Sequence, residues 1–301
     1  MKNISLLCLL SNSVPYVLSE TLQESMRKTQ EDFQKFLQHP FWIIVFLIFC
    51  FLALWQISCF LRFLFSRLFP KKNVSAAVWT GWDILFFTFF YFSCFIILSS
   101  IMAYFLPFFS KDKEYFFRLL VYWTVHIVSL VFLFFFLSFL PGYDKKSLGI
   151  CPLGHQDVLG AVLGYVCFFP WYLFLFYFSH LCCALFHLEP KVQDVAQELM
   201  QSQGISWWFS VITVILLAPA VEEVIFRAFI FCAMKKYLGV VGGTILTSVV
   251  FSIMHQNLLA FFPILGLGIF LQILYEKSQC LWACIIAHSL HNALTLVYLL
   301  L

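Results

Sequence analysis

The chain has 301 residues, of which 62% are hydrophobic, 20% are aromatic and only 11% are charged. A soluble domain carries about 25% charged residues, so this chain lacks the polar side chains needed to cover a folded surface in water. The composition excludes a disordered chain, a collagen, a coiled coil and a disulfide-stapled mini-protein, and a net charge of +3 without a basic stripe gives no indication of nucleic-acid binding.

The first 40 residues are predicted to be a polar or interfacial segment. Residues 1–10 contain one lysine and a short apolar stretch but no small-residue cleavage pattern, which leaves a cleaved signal peptide open. Residues 20–38 are rich in charge and predict a helix in water or at the membrane interface.

Eight apolar runs follow, each about 17–25 residues or longer, the length that crosses the hydrocarbon core of a bilayer. The runs are apolar on all sides, which favours helices over a barrel with alternating faces. We therefore predict an all-α, polytopic membrane protein with about eight transmembrane helices: 41–61, 84–107, 119–140, 158–186, 206–234, 240–256, 259–275 and 280–300.

A polar link over residues 189–204 divides these spans into two groups. We expect about four accessory helices in residues 41–190 and a second region of about four helices, residues 205–300, that carries the chemistry. Short loops on one side hold most of the basic residues, so the positive-inside rule places both termini outside. The prediction is a multi-pass protein of the inner or plasma membrane, in contact with membrane lipids.

Most of the eleven cysteines fall inside the apolar runs, and none has a CxxC or other metal-ligand spacing. We interpret them as small hydrophobic residues.

Two acidic residues lie in the middle of a span. Glu222 and Glu223 follow Pro219 in the fifth span, and Arg227 stands four residues after Glu223 on the same helix face. The Glu223–Arg227 pair is open to a purely structural interpretation, as an ion pair that supports helix packing. Glu222 points about 100° away and has no local cation. A carboxyl in that position can take and return a proton, as a general base must.

Histidines in the next spans are candidate partners of this carboxyl. His255 ends the sixth span, four residues after Phe251, which we expect to pack beneath it. His288 and Asn292 are four residues apart in the last span, so they could offer two donors to one oxygen. We interpret His126, His180 and His187 as packed core residues and His291 as a packing or lipid-interface residue.

These motifs, in this order on successive C-terminal spans, resemble the intramembrane glutamic endopeptidases of the CPBP family, formerly Abi. That family includes the type II CAAX prenyl endopeptidases and relatives involved in bacteriocin immunity. The resemblance covers residues 205–296, whereas the first 200 residues match nothing beyond being spans.

The resemblance implies a peptidase that hydrolyses a membrane-embedded or lipidated polypeptide without a cofactor. Glu222 with His255 would activate a water, His288 and Asn292 would stabilise the oxyanion, and Glu223 with Arg227 would support the group. Prenylation of the substrate is not implied by the sequence.

Three alternatives remain open from the sequence. Glu222, His255 and His288 could bind zinc, although no HExxH helix is present. The same polar cluster could stabilise a non-catalytic scaffold, for example an immunity protein. A proton-coupled transporter could use Glu222 and His255 as a relay, but the chain lacks the inverted repeat typical of transporters.

Overall fold

The structure is a computed structural model that describes residues 77–105, 111–188 and 194–300, together with Glu24, Arg27 and Lys28. Helices account for its regular structure, and no strand occurs in these ranges. The α-helices, in chain order, are α1 (Gly81–Phe105), α2 (Lys111–Ser138), α3 (His155–Leu185), α4 (Asp194–Gln201), α5 (Gly204–Ile212), α6 (Ala218–Glu223), α7 (Cys232–Met254), α8 (Phe261–Ser278) and α9 (Leu281–Leu300).

Six helical stretches in the described ranges are long and apolar enough to cross a membrane. One of them, Gly204–Met254, runs from α5 through α7 over 51 residues. It is interrupted at Gly239, whose φ of 68° and ψ of −179° are not helical, so it divides where the sequence separates the fifth and sixth spans. The predicted all-α membrane fold is confirmed. The predicted span 41–61 lies outside the described residues.

Two other predicted regions, residues 20–38 and 189–204, are described only in part. Glu24, Arg27 and Lys28, from the charged stretch 20–38, are helical, and Arg27 forms an exposed ion pair with Glu24 at 2.7 Å. The polar link 189–204 contains the short helix α4. The division into accessory and catalytic regions, the signal peptide and the orientation of the termini stay predictions.

The helical stretch around Pro219 is continuous but contains two π-helical segments. Thr213–Leu217 forms a π-helix between α5 and α6, and Val224–Phe231 forms a second between α6 and α7. Proline has no backbone N–H and cannot continue the regular ladder of hydrogen bonds. Single π turns inside α-helices are frequent at functional sites. Here they flank the two glutamates of α6.

The core lies between α3, α7, α8 and α9. Helix α8 is in its centre: Phe270 stacks on Phe168 of α3 with ring centroids 4.6 Å apart. On its other side, Gly268 lies so close to α7 that an added Cβ would be 3.1 Å from the Cβ of Ser248. Small residues at such crossings let helix backbones approach closely where water does not drive association.

Helices α1 and α2 lie at the edge of this core and hydrogen-bond to it. Trp79, immediately before α1, is fully buried, and its indole N–H donates to the Phe229 carbonyl at 2.8 Å. The Trp123 indole on α2 donates to the Thr213 hydroxyl at 2.7 Å. Because the bilayer core offers no water, such polar groups need partners from neighbouring helices.

Candidate active site

Glu223 and Arg227 form a buried ion pair. Glu223 Oε2 lies 3.1 Å from Arg227 Nε, and neither side chain is more than 1% exposed. The guanidinium carbon lies 4.5 Å from the centroid of the Phe251 ring, a cation–π contact. Breaking a buried pair by removing one partner leaves an uncompensated charge, so each member holds the other in place.

His288 lies between the two glutamates. Its Nδ1 is 2.8 Å from Glu223 Oε1, and its Nε2 is 3.8 Å from Glu222 Oε2. The first distance is a hydrogen bond, whereas the second is too long for a direct one. An ionised carboxylate only accepts, so Nδ1 carries the proton when Glu223 is charged, and Nε2 faces Glu222. Glu223 thus orients the imidazole as well as pairing with Arg227.

Glu222 differs from its neighbour in burial and surroundings. Its side chain is 24% exposed, and it has no arginine or lysine partner among the described residues. It interacts electrostatically with Tyr91 of α1 and with Tyr122 and His126 of α2. The two glutamates therefore differ in their surroundings: Glu223 is buried and paired with Arg227, whereas Glu222 is partly exposed.

His255 packs against Phe251, whose ring also lies beside His288. Its Nδ1 lies 2.8 Å from the Phe251 carbonyl oxygen, which can only accept, so Nδ1 is the donor and Nε2 is left as the basic nitrogen of the neutral ring. The Phe251 ring is buried, 4.8 Å from the His255 ring and 6.0 Å from the His288 ring. As predicted, Phe251 packs beneath His255.

The turn that carries His255 is held by hydrogen bonds. Ser252 donates to the Phe261 carbonyl at 2.6 Å, and Ser179 of α3 donates to the Leu259 carbonyl. The Asn257 side chain accepts the N–H of Ala260 at 2.9 Å, at the start of α8. A site is effective only when its side chains are held by such supporting contacts.

The Asn292 side chain is held by a backbone group of the first π segment. Its Nδ2 donates to the Val214 carbonyl at 2.8 Å, inside the first π segment. With His288 Nδ1 committed to Glu223, the groups available for one oxygen are His288 Nε2 and the second N–H of Asn292. The roles of all six predicted site residues stay predictions, since their placement alone tests no reaction.

One pair of residues near the site was missed by sequence reasoning, which placed His126 among the packing residues. His126 is buried, and its Nδ1 donates to the Tyr122 carbonyl at 2.7 Å. Its Nε2 therefore accepts the Tyr91 hydroxyl, at 3.2 Å. No motif joins these residues to Glu222, because they lie about 100 to 130 positions earlier, on other helices. His291, in contrast, packs as expected, with Nδ1 3.1 Å from the Tyr165 hydroxyl.

The cluster contains a partly exposed carboxylate, two imidazoles whose Nδ1–H groups each donate to a fixed acceptor, and an amide N–H. Proton transfer by a carboxylate–imidazole pair, with donors fixed nearby for a developing negative charge, is the requirement of acyl transfer to water. The fold and the site therefore define a polytopic all-α membrane protein with a polar cluster suited to hydrolysis.

Comparison with known proteins agrees with this class. Residues 204–294 match the family model described as "Type II CAAX prenyl endopeptidase Rce1-like", which confirms the resemblance predicted from the sequence. The matched residues run from the start of α5 into α9 and contain all six site residues.

A curated relative has a compatible name. The protein named "Putative membrane peptidase YdiL" from Bacillus subtilis (strain 168) is 28% identical over 82 residues, which is 27% of this chain. The match spans about a third, 34%, of that protein's length. No solved structure matches the chain.

Proposed function

We propose that the protein is an intramembrane endopeptidase that hydrolyses a peptide bond of a membrane-embedded or lipidated polypeptide. The observation that carries the proposal is the position of His288 between Glu222 and Glu223, at 3.8 and 2.8 Å, inside the region that matches the Rce1-like family. Charged groups inside a membrane protein are costly and are retained where function requires them.

In this proposal Glu222, with His255, activates the attacking water. Among the described residues Glu222 is the one of the two glutamates that has no arginine partner, and its side chain is 24% exposed. His255 Nε2 is free to accept a proton because Nδ1 is held by the Phe251 carbonyl. The proton taken from water then passes to the leaving amine.

His288 and Asn292 stabilise the tetrahedral oxyanion. In its protonated form His288 donates from Nε2, and Asn292 donates its second amide hydrogen. Glu223 and Arg227 keep His288 in orientation, so we regard them as positioning residues. This route needs a water and the side chains of the chain itself, and no cofactor.

The zinc alternative, with Glu222, His255 and His288 as ligands, requires three ligand atoms to converge on one point. Within the described residues, one group of three metal-ligating side chains has all its ligand atoms within 4.8 Å of one another, and it contains none of these three.

The substrate is proposed to reach the site from the membrane, because the site lies within helices that span it. Its identity is best found by quantitative proteomics of membrane fractions from cells that express the wild-type chain or Glu222→Gln. A polypeptide trimmed only in wild-type cells would be the substrate.

Glu276→Gln is the matched control. Glu276 is also a glutamate near a membrane-spanning helix end, but it pairs with Lys235 at 2.6 Å and lies outside the cluster. We expect wild type and Glu276→Gln to give the same trimmed polypeptide and Glu222→Gln to lack it. Equal trimming by a correctly folded Glu222→Gln protein would contradict the peptidase and favour the non-catalytic scaffold. Proton flux into vesicles would instead favour the transporter.

A further inference from the structure

Two cysteines and an aspartate meet at the junction between the start of α3 and the turn that joins α8 to α9. Cys151 and Cys280 are 129 positions apart, yet their sulfur atoms are 3.0 Å apart. An oxygen of the buried Asp157 carboxylate completes the group, and the three ligand atoms all lie within 4.8 Å of one another. We propose that Cys151, Asp157 and Cys280 bind a thiophilic divalent metal ion, with Zn²⁺ as the expected ion.

The backbone segments that carry the three side chains are held against each other. The Leu281 N–H donates to the Gly149 carbonyl at 2.9 Å, which joins the loop before α3 to the start of α9. Gly149 has a φ of 68°, and a Cβ there would lie 2.9 Å from the Tyr275 ring. Only glycine suits both the left-handed backbone and this close approach. The donor atoms are therefore brought together before any ion binds.

Asp157 is oriented in the same way. It lies in the first turn of α3, and one carboxylate oxygen accepts the Gly154 N–H at 3.1 Å. Metal-binding carboxylates commonly have one such hydrogen bond, which fixes their direction. Asp157 is 5% exposed and Cys280 is fully buried, whereas Cys151 is half-buried and leaves a route for an ion and a water.

The chemistry of the donor set selects the ion. Two thiolates and a carboxylate repel one another when buried together, and a divalent cation removes that repulsion. Zinc binds sulfur at about 2.3 Å and carboxylate oxygen at about 2.0–2.2 Å, usually with four ligands in a tetrahedron. Two sulfurs on one zinc are then about 3.8 Å apart, so they need to separate by less than about 1 Å. Magnesium and calcium prefer oxygen ligands and bind thiolates poorly.

The site is separate from the candidate active site. Cys280 precedes His288 by eight positions, which corresponds to about 12 Å along a helix. A metal here would join the start of α3 to the α8–α9 turn and stabilise their packing, without contact with the reacting atoms. The competing outcome is a Cys151–Cys280 disulfide, formed by exchange with a disulfide oxidant that is reduced to two thiols.

Cobalt(II) titration of the full chain in detergent, purified with a phosphine reductant, tests the proposal. Thiolate ligands give cobalt(II) an intense charge-transfer absorption. We expect this band at one ion per chain, its loss when Zn²⁺ is added, and a binding constant at least about 100-fold weaker in Cys151→Ser and Asp157→Asn. Cys94→Ser is the control, since Cys94 is a half-buried cysteine on α1, outside the group.

Cys151→Ser changes a half-buried residue and should keep the fold, which circular dichroism can verify. Three results would overturn the proposal: no thiolate band in the folded, reduced wild type; an unchanged band in both Cys151→Ser and Asp157→Asn; or recovery of the chain from cells with Cys151 and Cys280 joined as a disulfide. None of these results bears on cleavage by Glu222, so the two proposals can fail separately.

Discussion

Helices α1 and α8 are both apolar enough to cross a membrane, but they use that apolar surface differently. In the most apolar window of α1, 6% of the residues are buried, against 56% in α8. Helix α1 presents large side chains outward, for example Trp82, which is 80% exposed. Helix α8 packs on α3, α7 and α9 and helps to enclose the polar cluster. Hydropathy therefore shows that both helices can lie in a membrane, whereas burial shows that α8 is part of the protein core and α1 is not.

Helices α1 and α2 nevertheless make specific polar contacts with the core, although much of α1 is exposed. Trp79 and Trp123 donate hydrogen bonds to groups in the two π segments around α6. Tyr91 and His126 interact electrostatically with Glu222. Four substitutions, from the largest expected effect to the smallest, test how α1 and the C-terminal helices contribute to stability and to cleavage.

Replacement of His255 by glutamine should lower the rate of substrate cleavage by about 10²–10⁴-fold, the usual contribution of a general acid–base group. His180→Gln is the control, because His180 is a buried histidine on α3 whose ring nitrogens have no hydrogen-bond partner among the described residues. The measurement is the rate of trimming of the polypeptide found by proteomics. Equal losses in both variants would mean that burial, and not the site, determines the effect.

Arg227→Met should destabilise the fold by about 3–5 kcal/mol, because it leaves the Glu223 carboxylate buried without its cation. Lys235→Met breaks the ion pair with Glu276, where the lysine is 38% exposed, and should cost about 1 kcal/mol or less. Unfolding in mixed detergent micelles gives both values. Similar values for the two variants would contradict the structural importance of the buried pair.

Trp79→Phe should lower stability by about 0.5–1.5 kcal/mol, since it removes the hydrogen bond to the Phe229 carbonyl but keeps the ring. Trp82→Phe, three residues later on the lipid-facing surface, should change nothing measurable. The same unfolding assay applies. An equal response at both positions would indicate that α1 is bound to the core by apolar contact alone.

Tyr91→Phe should have the smallest effect, a fall in cleavage rate of about 2–10-fold, because it removes one neutral hydrogen bond to His126 beside Glu222. Tyr104→Phe, on the exposed end of α1, is the control. A shift of the pH–rate profile in Tyr91→Phe but not in Tyr104→Phe would separate an effect on the site from an effect on packing. No change in Tyr91→Phe would confine the site to the Rce1-like region.

The sequence alone determined that the chain lies in a membrane and is helical, and it identified the candidate site. Long apolar runs can satisfy their backbone in lipid only as helices, and ionisable residues are so rare within them that Glu222, Glu223 and Arg227 stand out. The i,i+4 rule also predicted the Glu223–Arg227 pair that the structure shows at 3.1 Å.

Only the tertiary structure decided which groups meet across helices. Helical periodicity relates residues three or four positions apart, but it does not relate His288 to Glu223, Asn292 to Val214, or His126 to the neighbourhood of Glu222. The Cys151–Cys280 contact has no sequence signature at all, because its partners belong to a loop and a turn 129 positions apart. Such contacts depend on how whole helices pack, and packing is a property of the assembled bundle, where polar groups are satisfied mainly by neighbouring helices because the bilayer core offers no water.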